Sequence, residues 1–262
     1  MTGTSHRPKL IKTARDVRLF RIGREIVVVT CDSCGGIGPK PLDRVRVSGY
    51  TVGRFTARVA LMEALSVGAE PICLANTLAV EPKPTGMQII KGIRDEVKHA
   101  QLDSRIVMTH STEKNTPVKQ TGLGVTVLGT TTYKSLKIGR CKSGDAVVAV
   151  GLPHVGNEVV RAEKKRRIAD TRDVHSLLNG HLVNEVIPVG SQGILHEAQT
   201  IAEDSSLQFT LRPHLDIDVR KSAGPATVIL CACPDSCVRE LSAFVEKPVH
   251  LVGTLDSCTD HK

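Results

Sequence analysis

An acidic residue at the end of an apolar run is the first feature that suggests chemistry. Asp32 follows the apolar run 25–31 and enters a glycine- and proline-rich segment, 32–41. A carboxylate at a strand end, beside backbone that side chains do not shield, suits Mg²⁺, which binds one or two carboxylates together with phosphate oxygens and water. The alternative is that the Asp32 side chain caps a turn, and for this residue alone the turn is the simpler interpretation.

A second acid, Glu63, lies late in a run whose other residues are apolar, in the stretch VALMEALSVG. The negative end of a helix dipole opposes a carboxylate there, and a partly buried acid needs a cation as its partner. Two partners fit equally well: a metal ion, or an arginine such as Arg54 or Arg58. Glu63 is therefore a candidate metal ligand, with a salt bridge as the alternative.

Other candidates are weaker when each is taken singly. Asp16 opens the first predicted strand and Glu113 sits in a polar loop, and both are ordinary positions for a surface acid. Residues 190–193 (GSQG) precede a predicted helix whose free N–H groups favour a phosphate, although an ordinary strand-to-helix turn gives the same pattern. The sequence has no Walker A loop, no G-x-G-x-x-G that joins a strand to a helix, no protein-kinase signature and no G-x-S-x-G.

Alternating strands and helices must position these residues. In the first half, the pattern predicts strands over 16–22, 25–31, 71–80, 104–109 and 121–131, and helices over 50–67 and from 84 to about 100. In the second half it predicts strands over 145–152, 182–189, 207–211, 226–233 and 249–255, and helices over 157–168, up to 180, over 194–202 and over 234–244. Asn157 is the expected cap of its helix. Both halves are expected to be α/β or α+β with mixed sheets.

A polar and basic segment, 132–144, separates the two halves. Because domain boundaries fall in such segments, we expect an N-terminal domain over residues 1–137 and a C-terminal domain over residues 138–262. The length of 262 residues allows each domain a hydrophobic core of its own.

The composition restricts the class of partner. Lys and Arg (35) exceed Asp and Glu (27), and the resulting charge of +8 suits an anionic partner such as a nucleotide or a phosphorylated metabolite. With no Trp, two Tyr and four Phe, the chain has little on which to stack unpaired bases, which argues against nucleic acid. No apolar run is long enough to span a bilayer, and residues 1–12 lack the apolar core of a secretory signal. We therefore expect a cytoplasmic protein that does not enter a membrane.

The eight cysteines are expected to stay reduced in the cytoplasm. Cys31 and Cys34 form a C-x-x-C pair, and Cys231, Cys233 and Cys237 cluster near the C-terminus. Zinc is the less favoured interpretation of this cluster, because C-x-C-x-x-x-C is not a usual zinc spacing and its first two members fall in an apolar strand.

Taken in order, these segments resemble a superfamily, that of aminoimidazole ribonucleotide synthetase, thiamine-monophosphate kinase, selenophosphate synthetase and the hydrogenase-maturation dehydratase. IVVVTCD resembles its strand ending in aspartate, VALMEALSVGAEP its helix N-L-S-D-x-x-x-M-G-A-x-P, MTHSTEKN its G-G-D-T loop and IPVGSQGILHEAQ its D-x-S-D-G-L motif. The chain departs from this pattern: Ala60 replaces Asn, Glu63 and Ser111 replace Asp, and Gly190 and Gln192 replace both acids of the last motif. These departures imply fewer carboxylates around the metal, or a changed substrate.

The resemblance implies ATP and Mg²⁺ as cofactors. Asp32 and Glu63 are then the catalytic and metal-binding residues, with Asp16 and Glu113 as further metal candidates. The residues implied for nucleotide or phosphate contact are Gly35, Gly36, Lys114, Asn115, Gln192, Gly193 and His196. The resemblance also implies a homodimer in which the N-terminal domains pair their strands into a shared barrel, with ATP near the groove between domains and subunits.

One branch of the superfamily is the most similar. The short length and the segments STEKN, VGSQGILHEAQ and SAGPAT resemble α-ribazole kinase, which phosphorylates the 5′-hydroxyl of α-ribazole with ATP in cobalamin salvage. The expected function is therefore an ATP-dependent kinase of a small riboside. Two alternatives stay open: an ATP-dependent synthetase or dehydratase that activates an amide or formyl oxygen, and a non-catalytic nucleotide- or RNA-binding module.

Overall fold

The computed structural model describes residues 8–258. Most of the N-terminal segment 1–12, which we interpreted as lacking a secretory signal, therefore lies outside the described residues. Within residues 8–258, none of the helices is both long enough and apolar enough to cross a bilayer.

Thirteen strands and six α-helices alternate along this part of the chain. In the first half they are β1 (Lys9–Ile11), β2 (Arg18–Ile22), β3 (Glu25–Gly35), β4 (Ile37–Gly38), β5 (Val45–Arg46), α1 (Gly49–Ser66), β6 (Glu70–Leu78), α2 (Met87–His99), β7 (Val107–Thr112) and β8 (Gly122–Thr131). In the second half they are β9 (Asp145–Gly151), α3 (Glu158–Lys164), α4 (Thr171–Asn179), β10 (Glu185–Pro188), α5 (Gly193–Asp204), β11 (Leu207–Leu211), β12 (Val228–Pro234), α6 (Val238–Phe244) and β13 (Val249–Ser257).

The first sheet has the order β1-β2-β3-β8-β6-β7, and its pairs are antiparallel except for β6 with β7. Its inner face packs on α1 and α2 through residues such as Leu74, Val125 and Val127. The two helices approach each other at glycines, because a Cβ atom on Gly53 or on Gly92 would lie 2.1 Å from a carbonyl oxygen of the other helix. Small residues at the crossing thus set how α1 lies against the sheet.

The outer face of the first sheet carries apolar side chains that no described element covers. Val29, Leu128, Cys73 and Val107 are cross-strand neighbours in one row on this face, and Val107 is 69% exposed. Strand β7 forms one edge of the sheet and pairs only with β6 among the described strands. The dimer barrel implied by the resemblance stays a prediction for this face.

The second sheet has the antiparallel order β10-β12-β9-β13-β11. Strand β9 is buried along its whole length because helices cover both faces: α4 and α6 lie on one side and α5 on the other. Met62 and Leu65 from the end of α1 belong to the core on the first of these sides. Helix α1 therefore packs on both sheets and joins the two halves.

The predicted elements are present, and the mixed-sheet α+β class is confirmed, but three details differ. Strand β3 continues to Gly35 in register with β8, so Asp32 lies within a strand and not in a loop. Strand β7 begins at Val107, three residues later than predicted, and takes in the start of the polar segment. Asn157 makes no side-chain capping bond, and α3 ends at Lys164 instead of near 168.

Candidate functional site

A cavity of about 490 Å³ opens between α1, the end of β3 and loops of the second half. Asp16, Asp32 and Glu63 line it together, although they are 16 and 31 residues apart along the chain. From the second half it is lined by residues of three segments, which are Gly156, Val159 and Val160, then Val189, Gly190 and Ser191, and then Gly224, Pro225 and Ala226. The structure thus brings three of the predicted metal ligands to one place.

The two central acids are positioned by elements that are tied to each other. Asp32 alternates with the exposed residues of β3 and lies on its inner face, toward α1. The Thr30 hydroxyl, also on that face, donates a hydrogen bond of 2.7 Å to the carbonyl oxygen of Ala60 in α1. Val59 and Glu63 follow Phe55 at helical spacing and face the same cavity. Strand and helix therefore present Asp32 and Glu63 to one space from opposite sides.

Both carboxyl groups have raised pKa values. Burial raises the pKa of Asp32 to about 6, against the opposing effect of the Ser33 N–H group. Burial raises the pKa of Glu63 to about 8; the nearby carboxylates Glu197, Asp16 and Asp32 add to this, and Arg15 opposes it. Among the residues that the structure describes, no Lys, Arg or His lines the cavity. Its acids are thus left to repel each other.

The structure does not pair Glu63 with Arg54 or Arg58, which was the alternative to a metal ion. Arg58 Nε donates to Glu96 Oε1 at 2.7 Å, and its Nη2 donates to Glu163 Oε1 at 2.8 Å. Arg54 Nη2 also donates to Glu163 Oε1, at 2.8 Å. Both arginines lie on the side of α1 that meets α2 and α3, and they are already paired there, so neither neutralises Glu63.

Glu197 in α5 is a further acid beside this cluster, and our sequence analysis did not name it. The N–H of Gly190 donates to its Oε1 at 3.5 Å, and burial raises its pKa, against the opposing effect of His196. A signal was available: Glu197 lies one helical turn after Gly193, in the motif where Gly190 and Gln192 replace acids. A carboxylate thus lies near this motif, on its helix instead of its loop.

The predicted phosphate-contacting residues fall in two places near the cavity. Gly35 lines the cavity, and with Gly36 it also lines a shallow neighbouring pocket beside Arg44 and Lys119. Gln192 precedes α5, whose first turn carries His196, and Gln192 Nε2 donates to His196 Nε2 at 3.1 Å. These two residues follow Gly190 and Ser191, which line the cavity.

Gly193 is required by the backbone at the start of α5. Its φ is +84°, and a Cβ atom there would lie 3.0 Å from the carbonyl oxygens of Val219, Arg220 and Lys221. The glycine therefore lets the segment after Ile217 pass close to the helix start, which fixes the loop 190–193 at the cavity.

Glu113, Lys114 and Asn115 lie elsewhere within the chain. They line a separate pocket with Lys83 and His110. Glu113 Oε1 accepts hydrogen bonds from the N–H groups of Asn115 at 2.6 Å and Thr116 at 3.1 Å, and these bonds lower its pKa. Glu113 thus organises its own turn, and within a single chain the structure does not bring these three residues to the acidic cavity.

The acids of the cavity would hold Mg²⁺ only when a nucleotide is bound with it. Over residues 8–258, no group of three or more His, Cys, Asp or Glu side chains is arranged to hold a metal ion on its own. Mg²⁺ bound to a nucleotide needs only one or two carboxylates, since phosphates and water complete its shell. Asp32 and Glu63 supply two such groups, in a cavity that no Lys, Arg or His of the described part of the chain lines.

The cysteines contribute little to this site. Cys231 and Cys233 are buried in β12, where Cys231 Sγ donates to the carbonyl oxygen of Val148 at 3.5 Å. Cys31 and Cys34 line the cavity from opposite faces of β3, and both are free thiols. Burial raises the pKa of Cys34 to about 11, which disfavours a thiolate there.

Comparison with known proteins shows which proteins have a similar sequence or fold. Residues 14–131, which hold Asp16, Asp32 and Glu63, match the family model of the AIR synthase related protein, N-terminal domain. No curated protein sequence matches the chain. The structural likenesses below extend the similarity, as a similarity of fold, to the second half of the chain.

Three solved structures illustrate the likeness. Thiamine monophosphate kinase (ThiL) from Aquifex aeolicus has a TM-score of 0.62 and 12% identity, over 89% of this chain and 86% of that chain. Hydrogenase maturation protein HypE in complex with ATP has a TM-score of 0.59 and 15% identity, over 87% and 77%. PurL from T. maritima, complexed with AMPPCP, has a TM-score of 0.61 and 13% identity, over 95% of this chain and 42% of PurL. At such identities the likeness shows a shared fold.

Proposed function

We propose that this protein is an ATP- and Mg²⁺-dependent kinase that phosphorylates a hydroxyl group of a small riboside. One observation carries the proposal: Asp16, Asp32 and Glu63 converge on one cavity, and none of the residues within 8–258 that line it is cationic. Carboxylates that gather in this way are expected where a cation is to be bound. The fold is one in which solved relatives bind ATP or AMPPCP.

In this proposal, side chains and backbone groups of the protein position the metal ion and the phosphates. Asp32 and Glu63 hold the metal ion from opposite walls, and Asp16 and Glu197 lie beside them. When bound, Mg²⁺ supplies positive charge that offsets the charge on the transferred phosphoryl group. At the start of α5 the N–H groups of Gly193 and Leu195 already donate to carbonyl oxygens, so of the first three positions the N–H of Ile194 is the one assigned to a phosphate oxygen. Gln192 and His196 lie in that same turn.

We assign the adjoining glycines, Gly35 and Gly36, to the nucleotide. Gly35 ends β3 and Gly36 follows it, beside a pocket that Arg44 and Lys119 also line. This rim therefore supplies positive charge next to the acids of the cavity. ATP that lies along the rim would have its phosphates directed toward Asp32. Lys114 and Asn115 stay candidates only at their own pocket.

The protein is proposed to act as a homodimer in the cytoplasm. Support comes from the uncovered outer face of the first sheet, where Ile72 is 45% exposed and Val107 is 69% exposed. Exposed apolar side chains on a sheet face that ends in an edge strand, here β7, favour pairing with a second copy.

The specific acceptor we propose is the 5′-hydroxyl of α-ribazole. The segment SAGPAT, part of the resemblance to α-ribazole kinase, supplies Gly224, Pro225 and Ala226 to the cavity lining. The other resembling segment at the cavity, VGSQGILHEAQ, supplies Val189, Gly190 and Ser191. Two of the three segments that resemble this branch thus lie where an acceptor would bind.

A second candidate is ATP-dependent activation of an amide or formyl oxygen. HypE and PurL share the fold at TM-scores close to that of thiamine monophosphate kinase, so the fold does not separate a kinase from this class. The two functions differ in product, which is a phosphate ester in the first and a ring or a nitrile in the second.

Mass spectrometry of a reaction containing the full chain, Mg-ATP and α-ribazole tests the proposal. The expected result is phosphorylated α-ribazole and an equal amount of ADP, with no product when Mg²⁺ is chelated. A matched reaction with thiamine monophosphate controls for a general kinase of the fold. ATP consumption that yields no phosphate ester with any hydroxyl acceptor would overturn the kinase assignment.

A further inference from the structure

Arg15 is a buried cation that directly precedes one of the cavity acids. It is 2% exposed, whereas the next residue, Asp16, lines the cavity together with Asp32 and Glu63. Arg15 is not part of that lining. At this point the chain therefore places a cation in the interior of the protein and a carboxylate at the cavity.

Every nitrogen of the Arg15 guanidinium is bonded to the second half of the chain. Nη1 donates to the carbonyl oxygen of Val186 at 2.8 Å, Nε donates to Asp204 Oδ2 at 3.3 Å, and Nη2 donates to Glu185 Oε2. The Glu185 side chain is fully buried, and that of Asp204 is nearly so. Three bonds from one planar group fix its position more tightly than a single ion pair would.

The two residues before Arg15 bind the same Asp204 carboxylate. The Thr13 hydroxyl donates to Asp204 Oδ2 at 2.9 Å and accepts a hydrogen bond from the Arg15 N–H group at 3.1 Å. The Ala14 N–H group donates to Asp204 Oδ1 at 2.8 Å. Residues 13–16, called the strap below, are thus held to the second half over three residues in succession, and the fourth lies at the cavity.

The partners of Arg15 lie on both sides of the loop 190–193. Glu185 and Val186 belong to β10, the strand that precedes this loop. Asp204 ends α5, the helix that follows it. The first two residues of the loop line the cavity. One guanidinium therefore holds both elements that support the loop, and holds the strap as well.

We propose that Arg15 is a positioning residue for the cation site, and that it sets the separation between Asp16 and the loop 190–193. The inference rests on the proposed function only for the presence of Mg²⁺ and a nucleotide in the cavity. Groups that bind a metal ion must be held to within about 0.5 Å by other groups that do not touch the metal. Arg15 is suited to this role, because its three bonds join the strap to β10 and α5.

The alternative is a purely structural role, in which the network joins the two halves and does not affect the cavity. Calorimetric titration of the full chain with ADP, once with Mg²⁺ and once with EDTA, separates the two roles. The measured quantity is the affinity ratio, which is the factor by which Mg²⁺ tightens ADP binding. A structural role would change stability and leave this ratio as it is in the parent.

The main variant combines Arg15→Met with Glu185→Gln, so that neither buried charge is left without the other. The affinity ratio should fall at least about tenfold. Thr13→Val is a milder variant that removes only the hydroxyl bonded to Asp204 and to the Arg15 N–H group. It should lower the affinity ratio by less than the double variant does, and it keeps the test open if the double variant does not fold.

Lys247→Met is the matched control. Lys247 is bonded to Asp170 at 3.0 Å and to Asp173 at 3.1 Å, it is largely buried, and it does not line the cavity. The variant removes a buried ion pair elsewhere in the second half. It should therefore lower stability and leave the affinity ratio at the parental value.

The positioning role is overturned if the parent has an affinity ratio well above one and both strap variants keep it, or if Lys247→Met lowers it as much as they do. A parent in which Mg²⁺ does not change ADP binding would remove the metal site of the proposed function, and this inference with it. A reduced ratio in the strap variants of a protein that phosphorylates no hydroxyl acceptor would support the positioning role and remove the kinase function.

Discussion

Helix α1 carries charged side chains in two contrasting settings. On the side that meets α2 and α3, Arg58 is 1% exposed and is bound to Glu96, which is fully buried, and to Glu163. On the side that meets the cavity, Glu63 faces the acids Asp16 and Asp32, and no cationic side chain between residues 8 and 258 lines the space. In the first setting, positive and negative side chains are paired. In the second setting, acidic side chains lie together.

Helix α1 thus carries a structural network of charges on one side and a candidate functional site on the other. Paired charges inside a protein satisfy each other, and they are costly mainly when one partner is removed. Like charges without a partner cost stability in the free protein, and such a cluster persists where it serves to bind something. Predictions that remove one charge from each setting therefore test the contrast directly.

The largest effect is expected from Arg58→Met. The variant leaves the buried Glu96 carboxylate with Arg54 as its remaining partner, at 3.2 Å, and should lower the free energy of unfolding by about 3–5 kcal/mol. Denaturant unfolding at neutral pH measures this. The double variant Arg58→Met with Glu96→Leu should recover much of the loss. A loss below about 1 kcal/mol in the single variant would mean that the network is not structural.

Asp32→Asn tests the other setting and should lower activity without lowering stability. Removing this carboxylate should reduce ATP turnover with the acceptor at least about 10²-fold. It should raise the free energy of unfolding at neutral pH, because burial raises the pKa of Asp32 and the ionised carboxylate therefore costs stability there. Asp95→Asn is the control, because Asp95 is an exposed acid of α2 that pairs with Lys91. Turnover at the parental level in Asp32→Asn would show that the cavity acids do not bind the metal.

The smallest effect is expected from Glu163→Gln, and it depends on pH. Burial would raise the pKa of Glu163, but the guanidinium groups of Arg58 and Arg54 outweigh it and hold the pKa below the ordinary 4.5. The folded protein then binds the proton less readily than the unfolded chain does, so the stabilisation is present above pH 4.5 and is lost as the pH falls through the folded pKa. The variant should be less stable than the parent at pH 7, by under about 1 kcal/mol.

Unfolding curves at pH 7, 5 and 3 measure this difference, which should shrink toward pH 3. Glu246→Gln serves as the control, since the Glu246 side chain is 76% exposed and its pair with Arg166 is equally open to solvent. Equal pH dependence in the parent and in Glu163→Gln would show that the pair with the two arginines adds nothing to stability.

Much of the fold follows from local pattern. The apolar run before Asp32 and the helical spacing of Val52, Phe55 and Val59 predict β3 and α1, since hydrophobic periodicity is a property of neighbouring residues. The end of β3 was predicted wrongly because Asp32 and Cys34 are polar, while their strand is held by backbone pairing to β8. That pairing joins segments about 90 residues apart, which no local pattern contains.

The site was predicted in part, for a similar reason. Asp32 and Glu63 were identified because a polar residue in an apolar run is visible in the sequence. Glu197 was missed because it lies among ordinary helix residues, and only the packing of α5 brings it to the cluster. Glu113 was grouped with these acids by motif order, although it lies at a separate pocket within the chain.

The sequence by itself determined the alternation of strands and helices, the α+β class and the two acids that interrupt apolar runs, because each depends on residues close together in the chain. Only the tertiary structure determined which charged side chains lie close to each other. Because Arg54 and Arg58 pair with Glu96 and Glu163, neither arginine neutralises Glu63. Coulomb energy depends on distances in space, and the packing of α1 between two sheets sets those distances.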